Sequence, residues 1–263
     1  MRIAYFSPLP PKRTGIATYS RYLLPALARR HEVTAFHAGA CDPVPGLAPP
    51  VDFTRDGALA RTLERFDSVV YHLGNNPHYH LDIYRALLAR PGVVVLHDTV
   101  LYFLMAGGGR GAFLREFAAN YGAARLPETR AIEADCPEGN LLRYPHPARY
   151  PMLGRVLDKA TGIVVHSETS AKSLRRGGHR VPVGVGTLVH YPGAMAAALA
   201  RDARTSLREA GVPKARLVFG CFGFLGPTKR MASVLAALAL VRRHVDAVLL
   251  VVGEGEEIGR AHV

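Results

Sequence analysis

The stretch 219–255, FGCFGFLGPTKRMASVLAALALVRRHVDAVLLVVGEG, decides the fold. Leu217–Phe222 is an apolar run that ends on Gly223, and Lys229-Arg230 opens a segment whose apolar residues recur every three or four positions, the spacing of an amphipathic helix. A second apolar run, Ala247–Val252, closes on Gly253-Glu254-Gly255. Strand, glycine-bearing turn, helix and strand make one β-α-β unit, and that connection implies parallel strands. The turn also suggests a chemistry. Helix N-terminal N–H groups and the positive end of the helix dipole, reinforced by a cation, suit a phosphate group, with Gly223, Lys229 and Arg230 as its candidate ligands. The other reading is a solvated basic pair at a helix start, where the dipole makes cations unwelcome. The GxxxxGK[ST] spacing is absent, which argues against a P-loop kinase or nucleoside triphosphatase.

The same pattern recurs upstream. Arg2–Phe6, Glu32–His37, 67–73, Gly92–Leu96 and 162–166 read as strands too apolar to be half exposed, and helical spacing over 15–30 and 79–89 separates some of them. Pro25 within 15–30 predicts a kink or break. The Pro- and Gly-rich segment 38–50 reads as a surface loop, 100–158 as two or three helices, and Ser167 as the cap of a helix with Glu168 in its first turn. A last strand over 181–189, a boundary at Tyr191-Pro192-Gly193 and a helix over 194–210 complete the reading. The expected class is α/β, with two Rossmann-like parallel-sheet domains at 1–192 and 193–263, the second incomplete at Val263.

Composition narrows the function classes. With 49% hydrophobic residues in 263, a packed core is affordable. No apolar run has the length of a membrane span, and the N-terminus lacks a signal-peptide cleavage pattern, so a cytoplasmic protein is expected. Cys41, Cys136 and Cys221 have neither CxxC nor Cys/His ligand spacing, and an odd count speaks against a disulfide framework. The formal charge of +12 is mostly arginine. It reads either as arginines spread over solvated faces or as attraction to an anionic partner, including peripheral contact with the anionic inner face of a membrane. Nucleic acid is not expected, because no long basic block or RNA-binding aromatic motif is present.

Three further constellations stand where strands end. In the loop 8–17 after the first strand, Gly15 is the one glycine where a dinucleotide fold places three, so a nicotinamide or flavin enzyme is disfavoured and no cofactor is expected. Gly15 either admits a diphosphate or sugar or is a plain helix start. His97 and Asp98 follow the Gly92–Leu96 strand, at the end where open α/β sheets collect ligands, and His97 could donate to a substrate hydroxyl. The segment 71–80, YHLGNNPHYH, offers Asn75, Asn76 and His80 as partners for sugar hydroxyls. Its three histidines raise the idea of a metal, but no carboxylate or cysteine at ligand spacing supports one, and no metal is expected.

Taken in order, PLPPKRTGIATYSRYLLPAL, YHLGNNPHYH with IYRALLARPGVVVLHD, GIVVHSE, and FGFLGPTKR followed by LLVVGEG resemble glycosyltransferase family 4, a group of retaining enzymes with the GT-B fold. The resemblance implies a nucleotide-diphosphate sugar donor clamped between two domains and a carbohydrate or glycolipid acceptor. On it, Gly15 lies near the diphosphate or acceptor, His97 contacts the donor sugar, and Lys229 pairs with the diphosphate. It further implies transfer with retention, no metal, and no dedicated base, since the leaving phosphate helps to deprotonate the acceptor. The chain departs from the family at Phe224, where an arginine is common, and in lacking the Glu-x7-Glu motif. The resemblance therefore implies a fragment that does not complete a donor site. A non-catalytic sugar or lipid-headgroup binding module of the same fold is the alternative, and a GT-B relative such as a phosphorylase or epimerase is a third.

Overall fold

The computed structural model describes residues 1–188, 203–223, 225 and 229–253. The boundary at 191–193, the start of the helix over 194–210, Phe224 and the Glu254-Gly255 pair lie outside the described residues. The chain divides into two compact units, Met1–His190 and Tyr191–Val263.

The first unit is a Rossmann-like α/β domain. Its strands, β1 (Arg2–Phe6), β2 (Glu32–His37), β3 (Val51–Asp52), β4 (Ser68–Leu73), β5 (Gly92–Leu96), β6 (Ala160–Val165) and β7 (Val183–Val185), form a seven-stranded sheet in the order β3-β2-β1-β4-β5-β6-β7. All neighbours are parallel. Strand order reverses between β1 and β4, the switch point beside which such sheets bind ligands. The helices are α1 (Gly15–Ala28), α2 (Leu59–Leu63), α3 (Pro77–Ala89), α4 (Tyr102–Ala106), α5 (Arg110–Tyr121), α6 (Glu128–Asp135), α7 (Gly154–Lys159) and α8 (Glu168–Arg176).

Side-chain alternation splits the core in two. Along β1, Ala4 and Phe6 join a large cluster with Tyr71, Leu73, Val94, Leu96, Ile163 and Val165, whereas Ile3 and Tyr5 pack with Leu24, Val33 and Ala35 on the face carrying α1. Phe6 stacks on Phe36 with centroids 4.7 Å apart and meets Phe53 edge-on. Gly92 allows close approach at the start of β5: a methyl group there would stand 2.5 Å from the Val69 carbonyl oxygen.

Several expectations need correction. Helix α1 does not break at Pro25 but continues to Ala28. The carbonyl that Pro25 leaves without an N–H partner belongs to Arg21, an exposed residue. Of the strand expected over 181–189, the described residues 181–188 form only Val183–Val185, with 189 outside the described set; Pro182 before it has no N–H to give, although its carbonyl accepts from Ile163. Between 100 and 159 there are four α-helices rather than two or three, with 3-10 turns following α5 and α6. The loop 38–50 is not wholly superficial: Val44 is buried, and the Asp42 N–H donates to the Pro10 carbonyl at 2.7 Å. Ser167 does cap α8, accepting from the Ser170 N–H, with Glu168 in the first turn.

The second unit contains α9 (Ala203–Glu209), β8 (Leu217–Phe222), α10 (Met231–Val241) and β9 (Ala247–Val252), with β8 and β9 paired in parallel from Leu217↔Ala247 to Phe222↔Val252. Among the described residues, no helix is long and apolar enough to cross a membrane.

Candidate functional site

The carboxyl ends of β1, β4, β5 and β6 each deliver polar residues to one edge of the sheet. Registry explains which ones meet. His72 pairs across from Val95, and Val95 from Val164, so these three share a face; His97 and His166 lie two residues beyond Val95 and Val164 and keep that face. Three histidines thus form a diagonal line. His72 Nδ1 and His97 Nε2 are 3.0 Å apart, His97 Nδ1 and His166 Nε2 3.2 Å, and His166 Nδ1 lies 2.9 Å from the Gly186 carbonyl oxygen. The Tyr19 ring from α1 covers all three, with centroids at 5.7, 5.3 and 5.4 Å.

Burial grades along the line. His72 is fully enclosed, while His97 and His166 are half-buried. Burial, followed by the neighbouring His97, His80 and His166, holds the His72 imidazole well below its ordinary value. Burial, then His166 and His80, pushes His97 down to about 3. His80, buried at the start of α3, is pushed down to about 4 by burial, partly offset by its Nδ1 bond to the His72 carbonyl at 3.1 Å. These rings are neutral at pH 7. Nε2 of His72 is buried with no hydrogen-bond partner.

The other candidates are held mainly by local structure. Asn75 Oδ1 accepts from the Phe103 and Leu104 N–H groups at 2.9 and 3.1 Å and so secures α4, while its own N–H donates to Asp98 Oδ2 at 2.8 Å. Asn76 caps α3, accepting from the His78 N–H, with Pro77 in the first turn. Gly15 begins α1, whose cap is Thr14. Gly74 marks where these pieces converge: a methyl group on it would lie 2.9 Å from His80 Nε2, 2.9 Å from Ile16 Cδ1 and 3.2 Å from Asp98 Oδ2. The structure therefore gathers the first turn of α1, His80, Asn75, His97 and Asp98 at the switch point. It turns Asn76 and the Asn75 side-chain oxygen to capping.

In the second unit, Gly223 has a positive φ of 109° at the end of β8. Lys229 Nζ returns to donate to the Phe222 carbonyl at 3.0 Å, and Arg230 takes a left-handed conformation just before α10. Residues 226–228 of this turn lie outside the described set. Gly223 also lies against Gly253, where any side chain would collide with the Gly223 carbonyl.

Sequence reasoning missed His72 and His166 as members of the site. The signal was present in two strand endings, VVVLH and GIVVH, which set His97 and His166 at corresponding positions of neighbouring strands. Among the described residues, no group of three or more His, Cys, Asp or Glu is arranged to hold a metal. The three cysteines are free thiols. No protein-family model matches the chain, and no curated protein matches it.

Proposed function

We propose that this chain carries the acceptor-side domain and the diphosphate-binding turn of a retaining glycosyltransferase that uses a nucleotide-diphosphate sugar. The observation that carries the reading is the convergence of the first turn of α1 at Ile16 with His80, Asn75, His97 and Asp98 at the carboxyl ends of β1, β4 and β5, beside the reversal of strand order. Sugar hydroxyls need closely spaced neutral donors and acceptors, and neutral imidazoles with an amide and a carboxylate supply both. In the second unit, Lys229 at the end of β8 and the N-terminus of α10 offer positive charge to a departing diphosphate. The Lys229 ammonium would exchange the Phe222 carbonyl for a phosphate oxygen.

Calorimetric titration and transfer assays with UDP-, GDP- and ADP-sugars test this. One nucleotide class is expected to bind, and Lys229→Ala to weaken diphosphate binding by about 1.5–3 kcal/mol, the scale of a hydrogen bond to a charged group. The reading fails if none of these sugars binds or is consumed. A second reading, a sugar or lipid-headgroup binding module without transfer, is favoured by one observation: both ring nitrogens of His97 are already engaged within the protein. It predicts glycan binding with no turnover of any nucleotide sugar.

A further inference from the structure

The direction of the histidine line follows from its outer end. Nδ1 of His166 faces a carbonyl oxygen, which only accepts, so that nitrogen carries the proton. If His166 Nε2 carried a proton as well, the line would run inward and leave an unpaired N–H on the buried His72 Nε2, so Nε2 of His166 accepts and the nitrogen facing it, His97 Nδ1, is the donor. By the same step His97 Nε2 accepts from the Nδ1–H of His72. The line ends on the bare His72 Nε2, the buried atom without a partner. Reversing a neutral line would set two lone pairs against each other at 2.9 Å between His166 and Gly186. It would also bury an unpaired N–H on His72, a rarer arrangement than an unpaired acceptor.

The two links differ in access. The His72–His97 bond is sealed at its inner end, whereas the His97–His166 bond, at 3.2 Å, joins two half-buried rings. We infer that the His97–His166 bond is the place where a ligand hydroxyl inserts, accepting from His97 Nδ1–H and donating to His166 Nε2, which makes His166 a ligand-binding residue selective for hydroxyls over anionic oxygens. A hydroxyl carries both functions and leaves neither nitrogen unpaired. A sulfate or carboxylate oxygen, which has no proton to give at pH 7, can take the His97 proton but faces the His166 lone pair with another lone pair, which costs binding. The inference rests on the glycosyltransferase reading only for the expectation that the hydroxyl belongs to a sugar. The pushed-down value of His97 supports it, because the direction argument requires neutral rings.

Nitrogen-15 NMR of the full chain labelled at histidine tests this without an activity assay. In the free protein at pH 7, His97 and His166 are expected to carry their protons on Nδ1. A proton on His97 Nε2 overturns the inference. The added probe is the nucleotide sugar consumed in the transfer assay or, if none is consumed, glucose, mannose and galactose, with sulfate, which only accepts, as the anionic comparison. The sugar is expected to shift the His97 Nδ1 and His166 Nε2 resonances together, and sulfate to shift neither. A response to sulfate alone, or to no sugar, overturns the inference. Sugar turnover without these shifts would sink it while sparing the transferase reading; shifts with the free sugars but neither binding nor turnover of any nucleotide sugar would do the reverse. His166→Phe is expected to weaken sugar binding about five-fold, as one hydrogen bond of ordinary strength is lost. His166→Gln, whose amide oxygen still accepts from His97, should keep His97 in the Nδ1–H form, and scrambling of the His97 proton in that variant would also count against the inference.

Discussion

Strands β1 and β8 are both short apolar runs that lead into a glycine-bearing loop and a helix, yet they live in different surroundings. In β1 the residues Ala4, Tyr5 and Phe6 are wholly buried, because β2 and β4 flank the strand and helices cover the sheet. In β8 most residues are exposed, and Phe222 keeps 62% of its surface. Its described neighbours are one strand and one helix, and a two-stranded sheet is marginal by itself in water. Helix α10 is not the amphipathic helix its spacing suggested: Ser233 is its one polar residue, so it has no polar face, and none of its described side chains is buried. Apolarity gives a segment the capacity for burial; flanking strands and covering helices turn that capacity into stability.

The largest expected effect sets these two strands against each other. Phe6→Ala removes a ring packed on Phe36, Phe53 and Tyr71 and should cost about 3–5 kcal/mol in denaturant unfolding. Phe222→Ala should stay within about 0.5 kcal/mol, and equal losses at the two positions would break the comparison. Next comes Gly92→Ala, which drives a methyl group onto the Val69 carbonyl between two central strands; a loss of about 1–3 kcal/mol is expected, measured in the same way. A further effect distinguishes the units through acid. His72, His80 and His97 lie below their ordinary value of 6.5 when folded, so the unfolded chain binds more protons as pH falls below that value. Their contribution is complete above pH 6.5 and is lost towards about 4 for His80 and about 3 for His97, each contributing at most about 1.4 kcal/mol per pH unit. The second unit's described histidine, His244, is exposed. Urea midpoints at pH 7 and pH 5 should therefore fall for the first unit, and an unchanged midpoint would show that its buried rings do not govern acid stability. The smallest effect is that of Asp82→Asn on α3: its pair with Arg85 is solvent-exposed on both sides, and the change should lie within about 0.5 kcal/mol.

What could be read from the chain divides along physical lines. Strands β1, β2, β5, β8 and β9 were legible to the residue because each is a compact apolar run bounded by polar or turn residues. Strand β3 was not, since two residues carry no periodicity, and the burial of Val44 depends on packing against a sheet the loop itself does not encode. In the site, Gly15, His97 and Asp98 announced themselves by following strands. The capping duties of Asn75 depend on α4, almost thirty residues away. The histidine line depends on the pairing of β4 with β5 and of β5 with β6, which local pattern does not contain. Sugar-binding side chains and helix caps also draw on the same residue types, so Asn76 looked like one and serves as the other.

The contact between Gly223 and Gly253 bears on how tolerance to mutation should be interpreted in this chain. No side chain fits at 253 without colliding with the Gly223 carbonyl. A saturation survey scored on activity would thus find position 253 as intolerant as a catalytic residue, and the cause would be the spacing of two neighbouring backbones.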